Sequence, residues 1–166
     1  KFIPISNITR NKVFIYFKRR KSTELHFLKQ FLLKRKIDYH VFDYVKRYNE
    51  EDYLKYLQES KYGIVLDAHE SQGFAIEEAL SCNVPLLVWN VSSLNQEEGV
   101  NYPNIPATSI PYWDERCGEY FYKEVEFESK YNEFITKLET YKPREFILEN
   151  LSVEKCSENF KKIINF

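Results

Sequence analysis

The chain contains no methionine, only four glycines in 166 residues, and three cysteines. Cys82, Cys117 and Cys156 are odd in number and widely spaced, which fits neither a disulfide framework nor a zinc site. Reduced thiols and a cytoplasmic setting are the expectation, with Cys82 on the apolar side of a helix. No apolar run approaches the roughly 20 residues that span a bilayer, so no membrane span is expected. The opening KFIPISNITRNK lacks an apolar run of signal-peptide length. A chain that begins with Lys and has no Met is expected to be a fragment or a processed product. Neither charge dominates, with 24 basic and 25 acidic side chains, so bulk charge gives no reason to expect a nucleic-acid partner. The aromatic residues are abundant, 17% of the chain, but are not interleaved with a basic stripe as single-strand nucleic-acid binding requires.

The pattern alternates. KVFIYF (12–17) reads as a buried strand, and a helix follows from a cap at Ser22 or Thr23 to about Arg35. A strand over 39–42, a helix capped by Asn49 and a strand over 62–66 come next. A helix over 74–81 and a strand over 85–89 complete the alternation. This order predicts βαβ units: an α/β, Rossmann-like parallel sheet with helices on both faces. Residues 91–108 read as loop with one short helix near Asn95, and 109–112 as a fifth strand. Residues 118–122 read as a short edge strand. A helix over 128–140, another from Pro143 and a last one capped by Ser152, with Phe160, Ile163 and Ile164 on its apolar face, make a helical C-terminal tail. The whole, 1–166, is expected to be one domain, with 1–11 a leading segment or linker.

The chemistry concentrates in YGIVLDAHESQGFAIEEALSCNVPLLVW (62–89). A buried strand runs into a polar loop with Glu70, Gly73 opens a helix, and Glu78 lies about a turn and a half inside it. The free amides of Gly73, Phe74 and Ala75 would hold a diphosphate at the positive end of the helix, and Gly73 would let the backbone come close. A carboxylate deeper in the helix can accept from ribose hydroxyls. The alternative is that both acids are solvated helix-start residues.

With its glutamates seven residues apart, its glycine, its EAL and its following VPLLV strand, ESQGFAIEEALSCNVPLLV resembles the C-terminal, donor-binding domain of GT-B glycosyltransferases, in the retaining branch. The resemblance is carried by Glu70, Ser71, Gly73, Glu78, Ala79 and Pro85. It implies a nucleotide-diphosphate sugar as ligand, with Glu70, the candidate catalytic residue, and neighbouring amides on the sugar, and Glu78 on the ribose. It also implies an acceptor domain or partner chain forming the other half of the cleft, and no bound cofactor or metal; no Asp-x-Asp motif is present. Gln72 departs from the family, which often has an aromatic residue there. Asn83 stands for a usual glycine, although Asn tolerates the left-handed turn.

Lys18, Arg19, Arg20 and Lys21 follow the first strand. The resemblance puts an Arg and a Lys of this region near the diphosphate, and Lys18 and Arg19 are the candidates; a solvated turn is the alternative. At Asp43–Val45 the resemblance puts the backbone against the nucleobase, with Tyr44 able to stack on it; simple packing of Tyr44 is the alternative. His69 is expected to be a hydrogen-bonding loop residue, and Asp114, Arg116 and Cys117 a salt-bridged surface turn. Two other functions stay open. One is a binding module that kept the pocket without catalysis. The other is a flavodoxin-like or regulator-like domain, disfavoured because the first loop has no phosphate cradle and no acidic cluster.

Overall fold

The computed structural model describes residues 1–164. Five strands form one parallel sheet: β1 (Lys12–Lys18), β2 (His40–Asp43), β3 (Ser60–Asp67), β4 (Leu86–Trp89) and β5 (Gly118–Phe121), in the order β2-β1-β3-β4-β5. Among the described residues six α-helices accompany it: α1 (Ser22–Lys34), α2 (Glu50–Glu59), α3 (Phe74–Ser81), α4 (Phe127–Thr136), α5 (Pro143–Asn150) and α6 (Val153–Ile164). The α/β, Rossmann-like expectation and the helical C-terminal segment hold.

Period-two side-chain alternation divides the core into two layers. Phe14, Tyr16, Phe42, Val65, Leu86 and Val88 face α2, α3 and α5. Val13, Ile15, Ile64, Leu66, Leu87 and Trp89 face α1 and α4. Strands buried on both faces read as unbroken apolar runs, as they do here. Gly63 makes room for one large ring: a Cβ there would lie 2.3 Å from Cζ of Phe14.

Residues 109–112 are not a strand. Ser109 donates its amide to the Asn90 side chain (2.8 Å) and its hydroxyl to the Asp67 carbonyl (2.9 Å), and the Ile110 amide bonds the Thr108 hydroxyl (3.1 Å). These local bonds take the place of a ladder. The slot beside β4 belongs to β5, the expected edge strand. The expected 128–140 helix ends at Thr136 and continues as a 3₁₀ turn over Leu138–Thr140. Thr136 and Thr140 there bond back to the carbonyls of Asn132 and Lys137. The short helix near Asn95 is a 3₁₀ turn, Leu94–Gln96. Helix α1 begins at Ser22 itself, and Glu24, not a hydroxyl, reaches back to the Lys21 amide (3.2 Å).

Residues 1–11 have no regular element, yet Phe2 packs on the core and Arg10 donates to the carbonyls of Cys82 (2.8 Å) and Asn83 (2.9 Å). Asn83 has φ 59°, the left-handed turn its side chain permits. Cys82 is a buried free thiol, pushed up to about 11 chiefly by burial. Among the described residues no helix is long and apolar enough to cross a membrane.

Candidate functional site

The strand order changes direction between β1 and β3, whose strands run parallel: the connection from β1 leads outward to β2, and that from β3 leads outward on the other side to β4. The crevice at the carboxyl ends of such a pair is where open α/β sheets bind ligands. Here Lys18 ends β1, Asp67 ends β3, and the two are cross-strand partners. The loop after β3 carries Glu70 back over this edge, held by its amide on the Thr108 carbonyl (2.9 Å). Lys18 Nζ donates to Glu70 Oε1 at 2.5 Å and lies 5.0 Å from the Tyr44 ring centroid. Both members of the pair are mostly buried, Lys18 at 17% and Glu70 at 14% side-chain exposure.

Gly73 precedes α3 with φ 84°. A Cβ there would meet carbons of Glu70 and Ile76 at ordinary distance, so the left-handed backbone, not space, asks for glycine. The Gly73 carbonyl accepts the amides of Ile76 and Glu77, both at 2.9 Å, while among the described residues those of Phe74 and Ala75 donate to no acceptor. Phe74 itself is exposed, and the Ala75 carbonyl accepts Tyr53 Oη (2.9 Å), fastening α3 to α2.

A cavity of about 310 Å³ gathers Lys18, Tyr44, Glu70, Phe74, Ala75 and Glu78, with Tyr16, Tyr48 and Glu50. Tyr44 and Tyr48 also line a neighbouring cavity of about 490 Å³, together with Arg19, Val45 and Arg47. Val45 is placed by its amide on Asp43 Oδ1 (3.1 Å). Ser71 is exposed, and neither it nor Gly73 lines these two cavities. Burial first, then the charge of Glu50, pushes the Glu78 carboxyl up to about 7, against the pull of Lys1. Burial likewise pushes the Tyr48 hydroxyl up to about 12.

The three cations after β1 divide. Arg19, in a left-handed backbone (φ 51°), donates to Glu97 Oε1 at 2.7 Å with its side chain half exposed. Arg20 is 2% exposed and structural: it grips Glu24 through two nitrogens (3.0 and 2.7 Å) and the carbonyls of Asp67 (3.2 Å) and Trp89 (3.0 Å). Lys21 is an exposed residue at the start of α1.

Three acids at this edge escape sequence reasoning. Glu97 takes Arg19 and His69 together, with His69 Nε2 at 2.7 Å from Oε2. Burial opposes its charge, but those two hydrogen bonds outweigh it and hold the carboxyl below the usual range. Nothing local in the 91–108 loop marks it. Glu50 reads as an ordinary first-turn acid. Asp67 does leave a signal, an acid closing an unbroken apolar run. The Asp114–Cys117 turn is salt-bridged, Arg116 reaching Asp114 (2.8 Å) and Glu149 (2.5 Å), and Cys117 is buried.

No protein-family model matches the chain, and no curated protein matches it. Among solved structures, the crystal structure of TarM is similar over 100% of this chain, with a TM-score of 0.55 at 13% identity. The chain spans 38% of TarM's length, so the likeness is one of fold, to a part of a larger protein.

Proposed function

We propose that this domain binds a nucleoside-diphosphate sugar and forms the donor half of a glycosyltransferase acting with retention. One observation carries the reading: Lys18, Tyr44, Glu70, Phe74, Ala75 and Glu78 line a single cavity where the strand order changes direction. The likeness to TarM supports the reading at the level of fold alone.

In this reading the amides at Gly73, Phe74 and Ala75 hold the diphosphate, and Ser71 approaches it from the loop. Lys18 and Arg19 neutralise charge that grows on the departing nucleotide as the sugar leaves. Glu78 accepts from the ribose hydroxyls, Tyr44 stacks on the base, and the Val45 backbone meets its edge. Glu70 faces the sugar as the catalytic-site acid. An anionic diphosphate and Glu70 compete for Lys18, so ligand entry exchanges one charge-assisted bond for another. An acceptor domain or partner chain completes the cleft, and this chain alone transfers little or no sugar.

Gln72 favours a second reading, a nucleotide-sugar binding module without catalysis. Its amide is engaged with Glu77 Oε1 (2.8 Å) where the resembled family often has an aromatic residue. A thermal-shift panel with UDP, GDP, ADP and their glucose conjugates tests binding. A ligand at 100 times its Kd adds about 2.7 kcal/mol. No shift with any of the six rejects both readings. Transfer by the complete protein separates the two.

A further inference from the structure

Strand β3 ends on an acid that the donor-binding reading leaves without a role. Asp67 is 0% exposed, and among the described residues neither of its carboxyl oxygens meets a hydrogen-bond donor. Its main chain, in contrast, is fastened: the carbonyl accepts from Ser109 Oγ (2.9 Å) and Arg20 Nη1 (3.2 Å), and the next amide bonds the Lys18 carbonyl (3.0 Å). The side chain is therefore held where it is. An ionised carboxylate there would be buried without a donor, a costly state.

Asp67 lies beside the Lys18–Glu70 pair: Lys18 is its partner across the two parallel strands, and the Lys18 ammonium holds the Glu70 carboxylate. Two acceptors facing each other repel unless one carries a proton. Glu70 is the one that accepts from the Lys18 ammonium, so the proton belongs on Asp67. Two ionised acids around one ammonium would leave a net buried charge, and one proton removes it. Burial first, then the hydrogen bond and charge of Glu70, push Asp67 well above the usual carboxylate range, and Lys18 opposes this. Tyr16 lines the same cavity as Lys18 and Glu70 from β1, and burial first keeps its hydroxyl protonated. Arg20 engages the Asp67 carbonyl rather than its carboxyl.

We propose that Asp67 is a proton-holding positioning residue whose carboxylic acid donates a hydrogen bond to Glu70 and fixes that carboxylate beside Lys18. Its consequence for the ligand rests on the reading of Glu70 as the sugar-facing acid. When a diphosphate draws Lys18 away, Asp67 still holds Glu70 as an oriented acceptor for a sugar hydroxyl. Selectivity for the sugar-bearing ligand then depends on Asp67, although Asp67 is sealed from the ligand.

The test has two independent parts. Side-chain carboxyl ¹³C NMR of the protein labelled at aspartate follows each carboxyl with pH. One resonance should stay protonated through neutral pH, vanish in Asp67→Asn, and titrate at lower pH in Glu70→Gln. All aspartates titrating near the ordinary value of about 4 would overturn the proposal. Calorimetry with UDP, GDP, ADP and their glucose conjugates then reads preference. Asp67→Asn, a neutral donor of the same shape, should keep the parent's ratio of conjugate to free diphosphate affinity, and Asp67→Leu should lose about tenfold of it. Equal loss in both variants, or none in Asp67→Leu, also overturns it. A parent that binds none of the six refutes the donor-binding reading, and the NMR titration still decides the proton.

Discussion

Lys18 Nζ and Glu70 Oε1 stand 2.5 Å apart at the carboxyl edge of the sheet, joining the end of β1 to the loop after β3. A charge pair this well buried is held by geometry rather than by screening solvent. Removing one partner strands the other. Lys18→Met should therefore lower stability by about 1–3 kcal/mol and weaken nucleoside-diphosphate binding by about tenfold or more. Denaturant melts and calorimetry on the same preparation check both numbers. Unchanged affinity would remove Lys18 from the ligand site.

Glu78 supplies a pH signature. Its folded carboxyl titrates near 7, raised from the ordinary 4.5, so between those values the folded chain holds a proton that the unfolded chain has released. Stability should fall as pH rises through that window, and Glu78→Gln should flatten the fall. Ligand binding should run the opposite way, because a ribose acceptor works best ionised: affinity should rise as pH passes about 7 in the parent and stay flat in Glu78→Gln. Melting temperature and Kd against pH in both proteins decide the two signs.

Arg20 should behave as scaffold. It ties the first turn of α1 to the ends of β3 and β4 while almost sealed from solvent. Arg20→Ala takes the guanidinium from Glu24 and from the Trp89 carbonyl, leaves the Asp67 carbonyl with Ser109 alone, and should cost about 3–5 kcal/mol. Arg19→Ala, at a half-exposed guanidinium, should cost less, about 1–2 kcal/mol, because His69 still holds the buried Glu97 carboxylate. Chemical denaturation of the pair checks the contrast.

Gly63 tests the packing of the layer beneath the site. Gly63→Ala drives a methyl into the Phe14 ring and should destabilise by about 1–3 kcal/mol. Phe14→Leu in the same chain should restore part of that loss. Additive losses in the double variant would mean that the two residues do not share the space.

What the sequence makes legible here is what periodicity encodes. Val13–Phe17 and Tyr62–Leu66 carry unbroken apolar runs because both sheet faces are covered, and Gly73 stands at the left-handed step into α3. These three features already set Lys18, Glu70 and Glu78 at one sheet edge. Loop partners are not encoded that way. Glu97 meets His69 across 28 positions, and Ser109 is drawn from a strand pattern by Asn90, both through side-chain bonds without sequence period. Asp67 is visible as an acid at a strand end, but its isolation from donors depends on where Ser109 and Arg20 point.

The most direct measurement of the donor-binding account is calorimetry of Glu70→Ala and Glu78→Ala with a nucleoside diphosphate and its sugar conjugate. Glu78→Ala should lose at least about tenfold in affinity for both ligands, since the ribose is common to them. Glu70→Ala should bind the free diphosphate nearly as the parent does and lose the preference for the conjugate. If both variants bind both ligands like the parent, the two glutamates are ordinary helix-start acids and the donor-site account is contradicted.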